Sequence, residues 1–418
     1  ALRGALAARD TTGMEALRRQ IEALSREIEE MRLGREVTVQ ADTGMHGLAP
    51  AASKVYRVQQ GVSIGGYGEV LYQNFSEERE NDAPSGAVDQ FDALRAILYF
   101  GYKFSDRILF NSELEWEHGS TSQGGEASIE FAYLDYLLTP SLGLRAGLLL
   151  APLGLVNELH EPPIFLGSTR SLTEQVIIPT TWRANGAGVF GEAGPLSYRA
   201  YLMTSLAGVR GGTSRASGFG AGGLRGGRQK GANEMAEDFA GVARVDFTGV
   251  PGLMVGTSAY LGETAHDRKL ADGREVGGRT LIWEGHGQLR AGGLDLSALY
   301  ALAHLDDVEE LNQIQGLTGN QSIGERLTGG YVSAGYDVLR ALDTEHQLVP
   351  YVRYERVNTQ ARVPAGFTAN PANDRRVVLL GTMWKPIPNV SVKADWQLHG
   401  NEANTGVNQF NVNIGYLF

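Results

Sequence analysis

The sequence ends in VNQFNVNIGYLF at residues 407–418, where apolar and polar side chains alternate. Successive residues of a β-strand face opposite sides of the sheet, so an alternating strand has one apolar and one polar face. The apolar face here comprises Phe410, Val412, Ile414, Tyr416 and Phe418, and the polar face comprises Gln409, Asn411, Asn413 and Gly415. One face suits lipid and the other suits water, which is the pattern of a strand in a membrane barrel.

The composition limits the class of protein. With 418 residues, 55 glycines, 14 prolines and no long structureless linker, the chain is expected to form one large unit. The longest mostly apolar run, 146–156, falls short of the roughly 20 residues that a membrane-spanning helix needs. The absence of cysteine excludes disulfides and cysteine-ligated metals, and the net charge of -11 argues against a nucleic-acid partner. Any membrane crossing must therefore be made by strands.

The same alternation recurs along the chain and predicts sixteen strands. They lie at 61–75, 92–104, 107–118, 128–138, 142–150, 182–192, 198–206, 239–247, 253–261, 280–290, 294–304, 327–339, 347–358, 375–385, 390–399 and 407–418. Long polar loops alternate with tight turns, as at 105–106, 194–195 and 386–389. Unequal rims of this kind describe an outer-membrane barrel, whereas a soluble propeller or sandwich, the alternative, does not predict them.

We therefore predict an all-β membrane protein, a 16-stranded antiparallel transmembrane β-barrel over 61–418, preceded by a short coiled-coil helix over 1–33 and a linker over 34–60. The helix is indicated by apolar residues spaced three and four apart, at Met14, Leu17, Ile21, Leu24, Ile28 and Met31. They are expected to assemble subunits, although a single amphipathic helix is the alternative and the heptads do not fix the subunit number. Because an even strand count leaves both chain ends at the short-turn rim, the helix is expected in the periplasm.

Polar residues in phase with the inner face predict the lining of the lumen. They are Arg95, Lys103, Glu113, Glu115, Glu117, Arg199, Arg244, Asp246, Glu284, His286, Arg290, Arg353, Glu355, Lys393 and Asp395. In the fourth strand Glu130 and Asp135 fall on opposite faces, so one of them is expected at a rim. A barrel of sixteen strands is too wide for its side chains to fill, which predicts an aqueous channel for small hydrophilic solutes or ions.

The third long loop, 151–181, carries two apolar clusters at 164–166 and 176–178. Exposed apolar clusters need burial, so we predict that this loop folds into the barrel and narrows it. Its polar residues Asn157, Glu158, Glu161, Arg170 and Glu174 would then meet solutes. The alternative is a latch that packs on a neighbouring subunit.

The fourth long loop, 207–233, holds Arg210, Arg215, Arg225, Arg228 and Lys230 and no acidic residue. A cationic mouth would raise the local concentration of anions. The alternatives are contact with anionic lipid or surface polysaccharide, or disorder. Because the predicted lumen is mixed in sign, anion preference is a secondary expectation.

The sequence predicts no catalytic residue, cofactor or metal site. The GVSIG spacing at 61–65 matches a nucleophile elbow but lies in a strand rather than at a strand-to-helix turn. His160 has two acidic neighbours, Glu158 and Glu161, but one histidine with two acids in a Pro-rich loop is more typical of solvated or salt-bridged side chains than of a metal site. A barrel enzyme and a tether between outer membrane and cell wall remain as alternatives to the channel.

Four runs of sequence carry a resemblance to a known family. They are FDALRAILYFGYKFSDRILFNSELEWEH at 91–118, EFAYLDYLL at 130–138, LRAGLLLAPLGLVNELHEPP at 144–163 and NGAGVFGEAGPLSYRAYL at 185–202. In these runs the chain resembles the phosphate-selective porin O/P family of bacterial outer-membrane porins. The resemblance implies a homotrimer of sixteen-stranded channels in which the third loop narrows each pore.

That family uses a ladder of lumenal arginines that leads to a central lysine. The resemblance offers Arg95, Arg199, Arg244 and Arg353 as candidates for ladder roles. Glutamates at 113, 115 and 117 depart from a cationic path, so the resemblance implies the channel and not the phosphate specificity. The N-terminal heptads resemble coiled-coil additions that reach toward peptidoglycan or another periplasmic partner.

Overall fold

The computed structural model describes residues 20–22, 25, 44–122 and 124–418. Sixteen antiparallel strands pair in sequence order, and the last pairs with the first, so the sheet is a closed barrel. The strands are β1 (Gly61–Phe75), β2 (Gln90–Lys103), β3 (Ile108–Glu117), β4 (Glu126–Thr139), β5 (Leu142–Leu150), β6 (Arg183–Ala193), β7 (Leu196–Thr204), β8 (Phe239–Val250), β9 (Leu253–Gly262), β10 (Thr280–Ala291), β11 (Leu294–Leu305), β12 (Arg326–Tyr336), β13 (Gln347–Arg362), β14 (Asp374–Ile387), β15 (Val390–Asn401) and β16 (Gln409–Leu417).

The predicted barrel is confirmed. The largest disagreement in a strand boundary is at the end of β13, which was predicted at residue 358 and lies at Arg362. The alternating sequence pattern predicts these strands because one face of each strand is buried and the other is exposed. In β2, for example, Ile97 and Tyr99 are buried while Phe100 and Tyr102 are exposed.

Closure depends on the C-terminal strand. β16 pairs with β1 from Tyr67↔Leu417 to Phe75↔Gln409. Beyond it, Phe418 exchanges two backbone hydrogen bonds with Gly66, at 2.9 and 3.0 Å. A Cβ on Gly66 would lie 2.7 Å from the Phe418 ring, so the glycine makes room for the terminal aromatic. Closure leaves no sheet edge unpaired, which a barrel in lipid requires.

A β-bulge in β4 changes the predicted facing of two acids. Glu113 pairs with Phe131 and Leu114 pairs with Ile129, so Glu130 is an extra residue in the ladder. The bulge shifts the phase of the strand, and both Glu130 and Asp135 are buried, at 2% and 1% exposure. The expectation that one of them sits at a rim is wrong, because simple alternation cannot anticipate a bulge.

The two rims differ as predicted. Short turns include 140–141, 194–195, 251–252 and 292–293, whereas the opposite connections include 151–182 and 205–238. The connection 337–346 is longer than the other connections at the short-turn rim.

Regular helix is sparse in the described part of the chain. The structure has a helical turn at Thr173–Val176 and a two-turn helix at Val308–Gln315. Across the described residues, the helices are too short and too polar to span a bilayer. Of the six predicted heptad residues, Ile21 is described and is helical, while Met14, Leu17, Leu24, Ile28 and Met31 lie outside the described residues.

The linker predicted over 34–60 is described from residue 44. Over 44–60 it is not a bare tether, because it packs inside the barrel, and we call it the plug segment. Its side chains Leu48, Ala49, Ala51, Ala52, Val55 and Val58 are buried. A Cβ on Gly101 of β2 would lie 2.6 Å from Val55, so this wall glycine makes room for the segment. The small residues of this segment suggested a linker in the sequence. In the structure they allow the segment to pack beneath the connection 151–182.

Candidate functional site

The connection 151–182 between β5 and β6, called here the inner loop, folds into the barrel interior. Ile177 and Ile178 are fully buried, as is most of the loop. A Cβ on Gly329 of β12 would lie 3.0 Å from Ile177, which shows how closely the loop approaches that wall. The apolar clusters that predicted inward folding are thus covered by the chain's own barrel.

One side of the wall binds the backbone of the inner loop. Lys393 on β15 donates from Nζ to the carbonyl oxygens of Pro162, Phe165 and Gly167, at 2.7, 2.8 and 2.9 Å. Asp395 accepts from the amide of Ser168 at 2.6 Å. The cation meets carbonyls and the anion meets an amide, so both charges are neutralised by loop dipoles.

Glu355 on β13 continues this pattern. Its carboxylate accepts from the amides of Leu172 and Thr173, at 3.0 and 2.6 Å, and from the Thr173 hydroxyl at 2.8 Å. Lys393, Asp395 and Glu355 were predicted to line the lumen. The structure places them inside the barrel, where they hold the inner loop.

The opposite side of the wall grips the start of the loop through ion pairs. Glu158 lies 3.3 Å from Arg199 on β7 and 3.8 Å from Arg244 on β8. Arg244 also donates to the carbonyl of Gly154. Asp246 joins both arginines, at 2.7 and 2.8 Å, and lies 2.9 Å from His286. Burial raises the pKa of the Glu158 carboxyl, and the two guanidinium groups oppose that rise.

Asn157 and Glu174, predicted to meet solutes, instead shape the loop. The Asn157 side chain donates to the carbonyls of Ala151 and Trp182, at 2.7 and 3.0 Å, and accepts from the Trp182 amide at 2.7 Å. It therefore ties the two ends of the loop together. Glu174 accepts from the Val156 amide at 2.7 Å and from the Tyr331 hydroxyl at 2.8 Å. Burial raises the pKa of the Glu174 carboxyl.

Glu161 joins the inner loop to the plug segment. Its carboxyl accepts from the amides of Ala51 and Ala52, at 3.4 and 3.1 Å. Burial raises the pKa of the Glu161 carboxyl to about 7, although the two amide donors oppose the rise. The plug segment is thus held by a residue that the sequence predicted to face solutes.

The wall of β2 to β5 holds the other side of the plug segment. Asn111 donates to the carbonyl of Ala52 at 2.9 Å, and Lys103 donates to the carbonyl of Val58 at 2.9 Å. Tyr56 donates to Asp135 at 2.6 Å. Asp135 also accepts two hydrogen bonds from Arg145, from Nε at 2.8 Å and from Nη2 at 3.0 Å. The bulge in β4 therefore supplies an anchor for a segment far away in sequence.

His160 lies where the inner loop crosses β3 and β4. Its Nε2 is 3.1 Å from a carboxylate oxygen of Glu113 and 3.6 Å from one of Glu130. Burial lowers the pKa of His160, but the Glu113 carboxylate outweighs burial and the pKa is raised overall. The acidic neighbours of His160 in sequence, Glu158 and Glu161, point to other partners.

Open space remains between the inner loop and β10 to β13. A cavity of about 60 Å³ there is lined by Leu166, Arg170, Glu174, Arg290, Tyr331 and Arg353, among others. A second cavity, of about 520 Å³, lies at the short-turn rim. Both are bordered by Ile164, Phe165, Arg290 and Asp295, so the wide cavity adjoins the narrow one.

The cations of the fourth long loop are mostly engaged. Arg225 donates to the carbonyl of Thr180, and Arg228 donates to that of Thr181 at 2.7 Å. Burial lowers the pKa of both guanidinium groups, that of Arg228 to about 9, and each is also next to another cation. Lys230 pairs with Glu126 at 3.0 Å, and Arg210 is exposed. A cavity of about 1020 Å³ is lined by Arg183, Arg215, Arg225, Arg228 and Lys230 together with Glu126.

Most of the remaining predicted residues of the lumen also have partners. Arg95 lies 2.8 Å from Glu69 and 3.8 Å from Glu115. Arg290 lies 3.1 Å from Asp295, and Glu284 lies 2.9 Å from His286. Arg353 donates to the carbonyl of Thr169 at 3.3 Å, and Glu117 is half-buried opposite Glu126. Sequence reasoning missed Glu69, Arg145, Arg183 and Tyr331. Strand alternation places these four side chains on the inner face of the barrel, which could have identified them. Alternation does not show which inward-facing residue an inner segment will contact.

No protein-family model matches this chain. Its architecture is that of outer-membrane porins. Among solved structures it is similar to Salmonella typhi OmpF in complex with daunomycin, with a TM-score of 0.56 and 14% identity over 86% of this chain and 98% of that one. The outer membrane channel DcaP of Acinetobacter baumannii gives a TM-score of 0.53 and 14% identity over 85% and 97%. A loop-deletion mutant of OmpT, an outer membrane protein of Vibrio cholerae, gives 0.54 and 11% over 86% and 100%.

The sequence is 38% identical over 358 residues to an uncharacterized protein of Aquifex aeolicus, which covers 84% of this chain and 78% of that protein. The chain belongs to the same family as that protein. At identities of 11 to 14% the solved structures share its fold. The expected porin-type barrel is thereby confirmed, and the narrower resemblance to the phosphate-selective O/P porins stays a prediction.

Proposed function

We propose that the protein is an outer-membrane channel for passive diffusion of small hydrophilic solutes and ions, without enzymatic activity, in which the inner loop and the plug segment set the width of the path. The observation that supports this most directly is what fills the barrel. Two chain segments that are not part of the wall occupy the interior, and polar contacts hold them there. A barrel of sixteen strands is wide enough for a channel once such segments are set aside. A solved protein of the same fold is described as an outer membrane channel.

The path proposed for solutes follows the two adjoining cavities. It enters at the short-turn rim and narrows where Ile164 and Phe165 of the inner loop face Arg290. Beyond this point the lining includes Arg170 and Arg353. On this proposed path the inner loop is the constriction, as its sequence predicts.

We expect the purified full-length protein to conduct ions in planar lipid bilayers, in small discrete steps. The steps should be small because the described path narrows to a cavity of about 60 Å³. Heat-denatured protein and empty detergent are the controls. If neither the full chain nor a variant that lacks the plug segment conducts at any voltage tested, the channel proposal fails.

We propose the orientation of the barrel from its strand count and its assembly from the heptad pattern. Both chain ends of a barrel with an even number of strands lie at one rim, and here β1 begins and β16 ends at the short-turn rim. That rim is expected to face the periplasm. The heptads of 1–33 would assemble subunits there, or reach peptidoglycan or another periplasmic partner. A homotrimer is what the resemblance to bacterial porins implies. A tether is thus a second role, compatible with the channel, and it rests on the heptad pattern.

Anion preference is proposed from the cavity of the fourth loop. Five cationic side chains line it with one acid, so the local potential favours anions at the mouth of the barrel on the long-loop rim. A phosphate-specific ladder has less support, because Arg95 pairs with Glu69 and both Arg199 and Arg244 pair with Asp246.

We expect Arg215→Gln to lower the ratio of anion to cation permeability by roughly twofold at low ionic strength, because it removes one charge from the lining of this cavity. The measurement is the reversal potential in a KCl gradient. Arg210→Gln is the matched control, since Arg210 is an exposed cation of the same loop. A cation-selective unmutated channel, or equal shifts in both variants, would contradict the anion preference.

A further inference from the structure

Three buried side chains from separate elements converge where the inner loop crosses the wall. They are His160 of the inner loop, Glu113 of β3 and Glu130 at the bulge of β4. One ligand atom from each lies within 4.8 Å of the other two. All three residues are at most 2% exposed. This cluster was invisible in the sequence because the bulge, and not the strand pattern, turns Glu130 inward.

The orientation of the imidazole is fixed from behind. Nδ1 lies 2.9 Å from the carbonyl oxygen of Asn157, which can only accept, so Nδ1 carries a proton. The Asn157 side chain is itself held by three hydrogen bonds at the ends of the loop. Nε2 therefore points at the two carboxylates. An imidazole that donates its Nδ1 proton to a carbonyl and presents Nε2 is the usual arrangement of a histidine metal ligand.

Several carboxylate oxygens in and beside the cluster lack a hydrogen-bond partner. Glu113 Oε2 and Glu130 Oε2 are buried and have no hydrogen-bond partner, and the same holds for Oε1 of neighbouring Glu115. Glu130 is held through its other oxygen, Oε1, by Arg183 at 2.8 Å. Of the oxygens without a partner, Glu130 Oε2 lies 3.6 Å from Nε2, whereas Glu113 faces Nε2 through its other oxygen, Oε1, at 3.1 Å. A buried carboxylate oxygen without a partner is costly, so a cation or a proton beside Glu130 Oε2 would stabilise the cluster.

We propose that His160, Glu113 and Glu130 bind a divalent transition-metal ion, with Zn²⁺ as the type, which fastens the inner loop to β3 and β4. One imidazole nitrogen with two carboxylate oxygens is a donor set that Zn²⁺, Co²⁺ and Mn²⁺ accept. Nε2 lies 3.1 and 3.6 Å from the two carboxylate oxygens, which is close to the spacing of ligands that share one ion at about 2.0 to 2.2 Å. The ion has a structural role, because it joins a loop residue to two wall strands. This site is independent of the proposed transport.

The competing occupant is a single proton on Nε2, which would make the cluster an ion pair between His160 and the two glutamates. The two occupants differ in a measurable way. A metal-filled site binds one equivalent of ion per chain and releases a proton from the imidazole when it does so, whereas an ion pair binds none.

The test uses the full-length protein in detergent, stripped with EDTA, dialysed and titrated with Co²⁺ near neutral pH. We expect one equivalent to bind with a visible d–d absorption band, and Zn²⁺ to displace it. His160→Gln and Glu130→Gln should each weaken binding by at least about 10-fold. His286→Gln is the matched control, since His286 is another buried histidine between two acids, Asp246 and Glu284.

Two results would overturn the proposal. The first is stripped, unmutated protein that binds less than stoichiometric Co²⁺, which would leave an ion pair only and does not depend on any variant folding. The second is a band that persists unchanged in His160→Gln protein whose β-sheet circular dichroism matches that of the unmutated chain.

Discussion

A chain that lacks residues 1–60 is expected to conduct severalfold better than one that lacks residues 1–43. The second truncation keeps the plug segment and the first removes it, so the pair isolates the effect of 44–60. The segment lies between the wall of β2 to β5 and the inner loop, held by Asn111, Lys103 and Glu161. Removing it opens a water-filled space along that wall, and we expect a gain of about threefold in single-channel conductance.

The barrel should survive this truncation. The β1 to β16 ladder and the Phe418 contact begin beyond residue 60, and strand pairing does not pass through the segment. Heat-modifiable mobility on gels would show whether each truncated chain folds. Equal conductance of two folded truncations would mean that the plug segment does not obstruct the path.

Lys393→Met is expected to release the inner loop. The ammonium group satisfies three carbonyls of the loop, and a thioether of similar length satisfies none of them. A buried carbonyl left without a donor costs about 1 to 3 kcal/mol, so leaving three of them unsatisfied should move the loop substantially toward undocked states. We expect larger and noisier conductance steps and faster tryptic cleavage after Arg170.

Lys385→Met is the matched control for this substitution. Lys385 lines the cavity at the short-turn rim, and in the described structure it makes no hydrogen bond to the inner loop. Lys385→Met removes one positive charge from the same region of the lumen, as Lys393→Met does. If the two variants have the same conductance and the same cleavage rate, Lys393 acts through its charge alone, and its hydrogen bonds to three loop carbonyls are not what holds the loop.

The barrel was predictable because its cause is local. Alternation places side chains on two faces wherever one face meets lipid, so strand bounds, the unequal rims and the closing strand could be taken from residue order. The inward folding of the third loop was also predictable, because the clusters at 164–166 and 176–178 need burial. The contacts that the charged side chains make inside the barrel were not predictable. Lys393, Asp395 and Glu355 have the right phase for a water-facing lining, but their partners are backbone groups of the loop more than 180 residues away in sequence.

Two further features escaped prediction for different reasons. The plug segment has the small residues that are typical of a linker. It packs only because Glu161 and Gly101, which are distant in sequence, leave space for it. The cluster around His160 depends on a bulge of one residue, which leaves no trace in apolar periodicity. In both cases the determining information is shape, supplied by elements distant in the chain.

The inner loop touches the wall on several sides, at β3 and β4 through His160, at β7 and β8 through Glu158, and at β13 and β15 through backbone contacts. It therefore works as an internal strut that holds the cylinder in cross-section. Engineering that trims this connection to widen the lumen would also remove the brace, and the emptied cylinder would be free to flatten.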